Sequence, residues 1–166
     1  MTFIRVPYLE AISENLTNRG LQIAVAESCT GGLLAGSLTS IPGSSNWFCG
    51  GLIVYSNRIK TKVLGVKLET INRFGAVSED VVKEMAFRCR ELYSSDLSIS
   101  ITGIAGPGGG SILKPVGTIW IGLAWGHSFW TKKLSLTGNR QFIRERTIDL
   151  ALKFVCTTID KTRNNH

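Results

Sequence analysis

"LQIAVAESCTGGLLAGSLTS" (21–40) carries the pattern on which the fold turns. Its first six residues form a short β-branched apolar run, as a buried strand would. Glu27, Ser28, Cys29 and Thr30 crowd the point where that strand should end. The stretch 30–40 then reads as a helix of small residues, stopped by Pro42. Two readings of the turn compete. Ser28 or Thr30 could simply cap the helix, since hydroxyls satisfy its free amides. Alternatively, one polar side chain is a nucleophile, and amides around Gly31 and Gly32 bind an oxyanion or phosphate at the helix start.

Outward from this unit, strands and helices alternate. Leu9, Ile12 and Leu16 recur at helical spacing over 7–19, before Gly20. "GGLIVYS" (50–56) is a second strand, and Asn57 can cap the short basic helix "RIKTKVLG". The clearest helix is "SEDVVKEMAFRCRELYS" (78–94), with Ser78 as N-cap and Val81, Met85, Cys89 and Leu92 on one face. "LSISIT" (97–102) is a third strand. After a glycine-rich loop, "VGTIWIGLAW" and "HSFWTKKLSL" flank Gly126 as a hairpin. Asn139 opens a last amphipathic helix to about residue 160. This order predicts one α/β layered domain with a mixed sheet. The polar segments 26–32 and 102–110 both follow strands, so both should reach the sheet edge where such folds bind ligands.

With 166 residues, 43% of them hydrophobic, the chain can bury a full core as one domain. No apolar stretch approaches the ~20 residues that a membrane span needs, and the charged N-terminus lacks a signal-peptide core. A soluble, cytoplasmic protein is expected. Cys29, Cys49, Cys89 and Cys156 stand far apart, as reduced thiols would. Two histidines, His127 and His166, are too few for a structural zinc site or a histidine triad. The net charge of +7 gathers in 57–67, 130–133, 139–146 and the tail "KTRNNH". It favours anionic partners, either nucleic acid or a small phosphorylated substrate. No basic and aromatic platform of the single-strand-binding kind is apparent, which disfavours nucleic acid.

The histidine shortage shapes the chemistry. Cys29 is tempting as a nucleophile near a helix start, although a cysteine beside a strand end is usually a small buried hydrophobe. Ser28 needs a base, and a lysine with its pKa lowered by burial can serve. Several lysines are available, and residue type alone does not choose between them. "TGIAGPGGGSILKPVG" (102–117) is neither a Walker loop nor a dinucleotide fingerprint, though its amides can line an anion pocket. Arg140 and Arg144, one helical turn apart, make a possible phosphate clamp.

The chain resembles the C-terminal domain of the competence/damage-inducible protein CinA, in its stand-alone nicotinamide mononucleotide deamidase form. The matching stretches include "AESCTGG" (26–32), "IPGSS" (41–45), "GGLIVYSN" (50–57), Lys60, "GAVSE" (75–79), "TGIAGPGGG" (102–110), "KPVGT" (114–118) and "GNRQFIR" (138–144), nearly the whole chain. The resemblance implies a three-layer α/β/α sandwich on a mixed, mostly parallel sheet. It implies hydrolysis of nicotinamide mononucleotide to nicotinate mononucleotide and ammonia, a step in pyridine nucleotide salvage. Carried onto this sequence, Ser28 is the nucleophile, Lys60 its general base, and Tyr55 an auxiliary proton-handling or orienting group. Substrate contacts are expected from Thr30, Gly31, Gly32, Thr102, Gly103 and Gly106, and phosphate contacts from Ser44, Ser45, Arg140 and Arg144. Homo-oligomerisation is also implied, and no metal or organic cofactor is. The chain departs from the family at Ile112 and Leu113, where acidic residues are usual, and at Arg58 and Ile59 ahead of the lysine. The competing reading is a catalytically silent nucleotide-binding module, which the intact Ser28–Tyr55–Lys60 set disfavours.

Overall fold

The computed structural model describes residues 5–163. Met1–Ile4 and the Asn164–His166 end of the basic tail lie outside the described residues. In chain order the elements are α1 (Arg5–Arg19), β1 (Ile23–Glu27), α2 (Leu33–Leu38), β2 (Phe48–Ile53), α3 (Asn57–Lys62), α4 (Leu68–Phe74), α5 (Glu79–Tyr93), β3 (Leu97–Gly103), β4 (Thr118–Trp125), β5 (Ser128–Ser135) and α6 (Arg140–Arg163). A short 3-10 turn, Ser44–Asn46, precedes β2.

The five strands form one sheet in the order β2-β1-β3-β4-β5. β1 runs parallel to both β2 and β3, while β4 is antiparallel to β3 and β5. Only β4 therefore opposes the common direction, as the expected mixed, mostly parallel sheet requires. In β1, Ile23 and Val25 join the core beneath α1, α2 and α6, whereas Ala24 and Ala26 face α4 and α5. Strand β1 is thus apolar on both faces because helices cover both. The result is the α/β/α sandwich.

On β3 the alternating serines are part of the packing. Buried Ser98 and Ser100 donate to the Ala86 and Val82 carbonyls of α5. Each hydroxyl finds an acceptor without displacing the helix ladder, so burial carries little penalty. A Cβ on Gly122 of neighbouring β4 would stand 2.8 Å from the Val82 oxygen, so glycine there lets α5 settle onto the sheet.

Three local expectations change. Leu92 is exposed rather than part of the α5 face, which is built from Val81, Val82, Met85, Ala86 and Cys89. Position 92 shares that stripe by helical angle but lies in the last turn of α5, one residue before its end at Tyr93, where the helix no longer covers it. Ser56, not Asn57, caps α3, its oxygen accepting from the Ile59 amide. Helix α4 (Leu68–Phe74) has no counterpart in the sequence reading; among its seven residues only Ile71 is buried.

Candidate active site

Strands β1, β2 and β3 end on one edge of the sheet, because they are parallel neighbours. Ser28 follows β1 directly, with its amide bonded to the Ile101 carbonyl of β3 at 3.0 Å. Tyr55 leaves β2, and the glycine loop leaves β3. Together they enclose a cleft of about 230 Å³ lined by Ser28, Cys29, Tyr55, Arg140 and the 103–109 loop. Larger hollows lie between α1 and α6 and beside Trp125, away from this edge.

Helix α3 carries Lys60 back under the end of β2. Its Nζ lies 3.0 Å from Ser28 Oγ, 3.0 Å from the Val54 carbonyl and 3.2 Å from the Tyr55 carbonyl. Lys60 is only 2% exposed. Among the described residues no carboxylate pairs with it. Burial therefore dominates and pulls its pKa below the ordinary lysine value; the nearby Cys29 sulfur opposes this only if ionised. Burial pushes the Cys29 thiol up to about 12, so it stays protonated at neutral pH. A neutral amine suits the arrangement. Its two N–H groups can donate to the carbonyls while its lone pair accepts the serine proton.

The turn carrying Ser28 is fixed from two sides. Glu27, 1% exposed, accepts from the amides of Gly32, Leu34 and Ala35 at 3.1, 3.1 and 2.8 Å. Its carboxylate thus occupies the start of α2. On the other side, Arg144 of α6 donates to the Cys29 carbonyl at 3.1 Å and the Thr30 carbonyl at 2.7 Å. Sequence reasoning assigned Glu27 no role. The available signal was an acidic residue at the end of an apolar strand, which is rarely buried without partners.

Several expected contacts are consequently reassigned. Neither Ser28 nor Thr30 caps α2, because Glu27 does. The helix start is not an open oxyanion or phosphate site, since a carboxylate already fills it. The Gly31 amide donates to the Ser28 carbonyl and the Gly32 amide to Glu27, so neither is free for substrate. Gly31 has φ +60°, and a Cβ there would stand 3.3 Å from Arg144 Nη2. Glycine at 31 makes room for the guanidinium rather than for a ligand. Thr30 is wholly buried, and the Thr102 hydroxyl is committed to the Ala76 carbonyl at 2.9 Å. Gly103 and Gly106 do line the cleft.

Arg144 is engaged by the turn, so it is not half of a phosphate clamp. Arg140 reaches the cleft, donating to the Gly106 carbonyl and to the Tyr55 hydroxyl, both at 2.8 Å. Ser44 and Ser45 lie just ahead of β2, at the opposite edge of the sheet. The five residues of β1 separate them from Ser28, roughly 16 Å at a strand's rise. Tyr55 divides in two: its carbonyl touches Lys60, but the residue is 56% exposed and its hydroxyl meets Arg140 on the rim. The phenol therefore meets Arg140 rather than the Ser28–Lys60 pair. Ile112 and Leu113 stand exposed in the loop between β3 and β4.

The pattern of the CinA C-terminal domain matches residues 6–159. The chain belongs to the CinA C-terminal domain family. A CinA-like protein from Chloroherpeton thalassium is 49% identical over 154 residues, covering 90% of this chain and 37% of that protein. A putative competence-damage inducible protein from Caldanaerobacter subterraneus is 51% identical over 139 residues, covering 84% and 34%. The chain thus spans about a third of the length of the curated relatives it matches. Among solved structures, the competence/damage inducible protein CihA from Agrobacterium tumefaciens superposes with a TM-score of 0.92 at 34% identity, covering 96% of this chain and 98% of its own. A CinA superfamily protein from Klebsiella pneumoniae gives 0.90 at 30% identity, covering 93% and 97%. The CinA sandwich and its strand-end turn accordingly provide the frame for the Ser28–Lys60 pair. Among the described residues no helix is long and apolar enough to cross a membrane.

Proposed function

We propose that the protein is an amidohydrolase that converts nicotinamide mononucleotide and water to nicotinate mononucleotide and ammonia through an acyl-enzyme on Ser28. The observation that carries this reading is the 3.0 Å contact between Ser28 Oγ and the buried Lys60 Nζ. A serine without histidine needs a base that is neutral near physiological pH, and burial supplies one.

In the first half-reaction, neutral Lys60 takes the Ser28 proton as Oγ attacks the carboxamide carbon. The pyridinium ring withdraws electrons and makes that carbon more electrophilic. Amides on the cleft wall receive the developing oxyanion. The carbon–nitrogen bond then breaks, and protonated Lys60 delivers its proton to the leaving nitrogen, which departs as ammonia. In the second half-reaction, water gives a proton to Lys60 and attacks the ester. The intermediate collapses to the carboxylic acid, Ser28 recovers its proton from Lys60, and the acid ionises to nicotinate. General acid–base help of this kind is typically worth ~10²–10⁴ in rate.

The cleft's size favours a substrate inserted by its ring. At about 230 Å³ it lies below the ~300–1,000 Å³ usual for sites that enclose a whole small ligand. A pyridine carboxamide fits inside, with ribose and phosphate directed outward along the rim. Arg140 stands on that rim, and a phosphate would compete with the Tyr55 hydroxyl and the Gly106 carbonyl for its guanidinium. Incubation with nicotinamide mononucleotide and measurement of ammonia tests the proposal. Release is expected. Binding of the nucleotide without release would instead favour the silent binding module.

A further inference from the structure

The turn 28–31 contains a hydrogen-bonded series beginning at a half-buried cation. Arg144 Nη2 donates to the Thr30 carbonyl at 2.7 Å. The peptide unit of that carbonyl includes the Gly31 amide, which donates to the Ser28 carbonyl at 3.1 Å. That carbonyl in turn shares its peptide unit with the Cys29 amide. Guanidinium, two peptide units and the Cys29 N–H therefore lie in series. Hydrogen bonds in such chains polarise one another, strengthening the terminal donor by about 10–30% per bond.

Elimination leads to the same donor. In this turn the amides of Ser28, Gly31 and Leu33 meet backbone carbonyls, and those of Gly32, Leu34 and Ala35 meet Glu27. Only the Cys29 and Thr30 amides meet no carbonyl or carboxylate among the described residues; the Cys29 amide faces only its own Sγ, a weak acceptor that a carbonyl oxygen can displace. Thr30 is completely buried, whereas Cys29 lines the cleft beside the nucleophile. An amide one residue beyond a nucleophilic serine is well placed for the oxygen of the carbonyl that serine attacks. The six-residue α2 contributes no open end, because Glu27 closes it.

We propose that Arg144 is a positioning residue for oxyanion stabilisation: through the Thr30–Gly31 and Ser28–Cys29 peptide units it holds and polarises the Cys29 amide, which receives the oxygen of the tetrahedral intermediate. The inference deepens the acyl-enzyme reading and rests on Ser28 being the nucleophile, but not on the identity of the amide substrate.

The test follows acylation by p-nitrophenyl acetate under single-turnover conditions, with Ser28→Ala as the blank. In this step Ser28 Oγ bonds to the acetyl carbon, p-nitrophenolate leaves, and the serine proton goes to Lys60. Arg144→Gln is expected to acylate at least tenfold more slowly at unchanged half-saturation. A loss of packing alone would instead move half-saturation and melting together. Arg144→Lys can hold one carbonyl, so it should fall between wild type and Arg144→Gln, and it carries the test if the glutamine variant fails to fold. Wild-type acylation rates in both variants, or a loss confined to half-saturation, would overturn the proposal and assign the oxyanion to the 104–110 loop. An unreacted Ser28 in wild type would overturn it too. Ester acylation in wild type without ammonia from nicotinamide mononucleotide would refute only the proposed amide substrate.

Discussion

Lys60 Nζ and Ser28 Oγ meet at 3.0 Å although 32 positions separate them in the chain. Parallel pairing of β1 with β2 brings their carboxyl ends together, and Ser56 starts α3 one turn before the lysine. The contact is thus a product of topology. Its chemistry depends on the lysine being uncharged.

Activity should therefore rise with pH as Lys60 loses its proton, with the midpoint below the ordinary lysine value of 10.5. A kcat/KM profile for ammonia release measures it. Lys60→Arg keeps a cation of the wrong pKa and should abolish the rise along with nearly all turnover. The same shift has a stability consequence. Between the lowered folded pKa and the unfolded one, the unfolded chain binds more protons, so the stability contributed by Lys60 increases with pH. The melting temperature of wild type relative to Lys60→Met should climb across that window, and a constant difference would argue against a depressed folded pKa.

Glu27→Ala should lower stability by about 2–4 kcal/mol, combining loss of a helix cap with buried amides left unpaired. Glu27→Gln should fall between, because one amide oxygen replaces two carboxylate oxygens that serve three donors. Urea denaturation of the three proteins gives the order directly.

How much of this was legible beforehand can be judged from particular residues. Periodicity located β1, β3, α5 and the β4–β5 hairpin because helices and strands bury regular faces. The proposed Ser28–Lys60 pair comes from resemblance, since no spacing rule connects Ser28 with one lysine among several. Glu27 goes unassigned and Arg144 reads as a phosphate ligand because their partners are backbone groups, which leave no mark in residue type. Ser44 and Ser45 belong to the matching motifs yet lie across the sheet, because a motif records that residues recur and not which edge they occupy. Helix α4 buries too little to produce a periodic signal.

Gly31→Ala places a Cβ 3.3 Å from Arg144 Nη2 at a residue with φ +60°. The left-handed conformation alone costs about 1–2 kcal/mol for a residue with a side chain. Displacement of Arg144 should also slow turnover. Stability and kcat should therefore fall together, and a variant that lost stability while keeping full kcat would separate the turn's conformation from its chemistry.

Tyr55→Phe distinguishes a proton carrier from a rim contact. The phenol bonds to Arg140 at 2.8 Å and stands mostly in solvent, so its loss should raise KM several-fold with kcat nearly unchanged. A drop in kcat of a hundredfold or more would return Tyr55 to the proton-transfer steps.

The most direct measurement is the site of the covalent intermediate. Wild-type protein is quenched in acid during turnover of nicotinamide mononucleotide and its peptides are mapped by mass. The expected result is a nicotinoyl-nucleotide ester on Ser28 that disappears, together with ammonia release, in Ser28→Ala. An adduct on Cys29, or undiminished ammonia release from Ser28→Ala, would contradict the account.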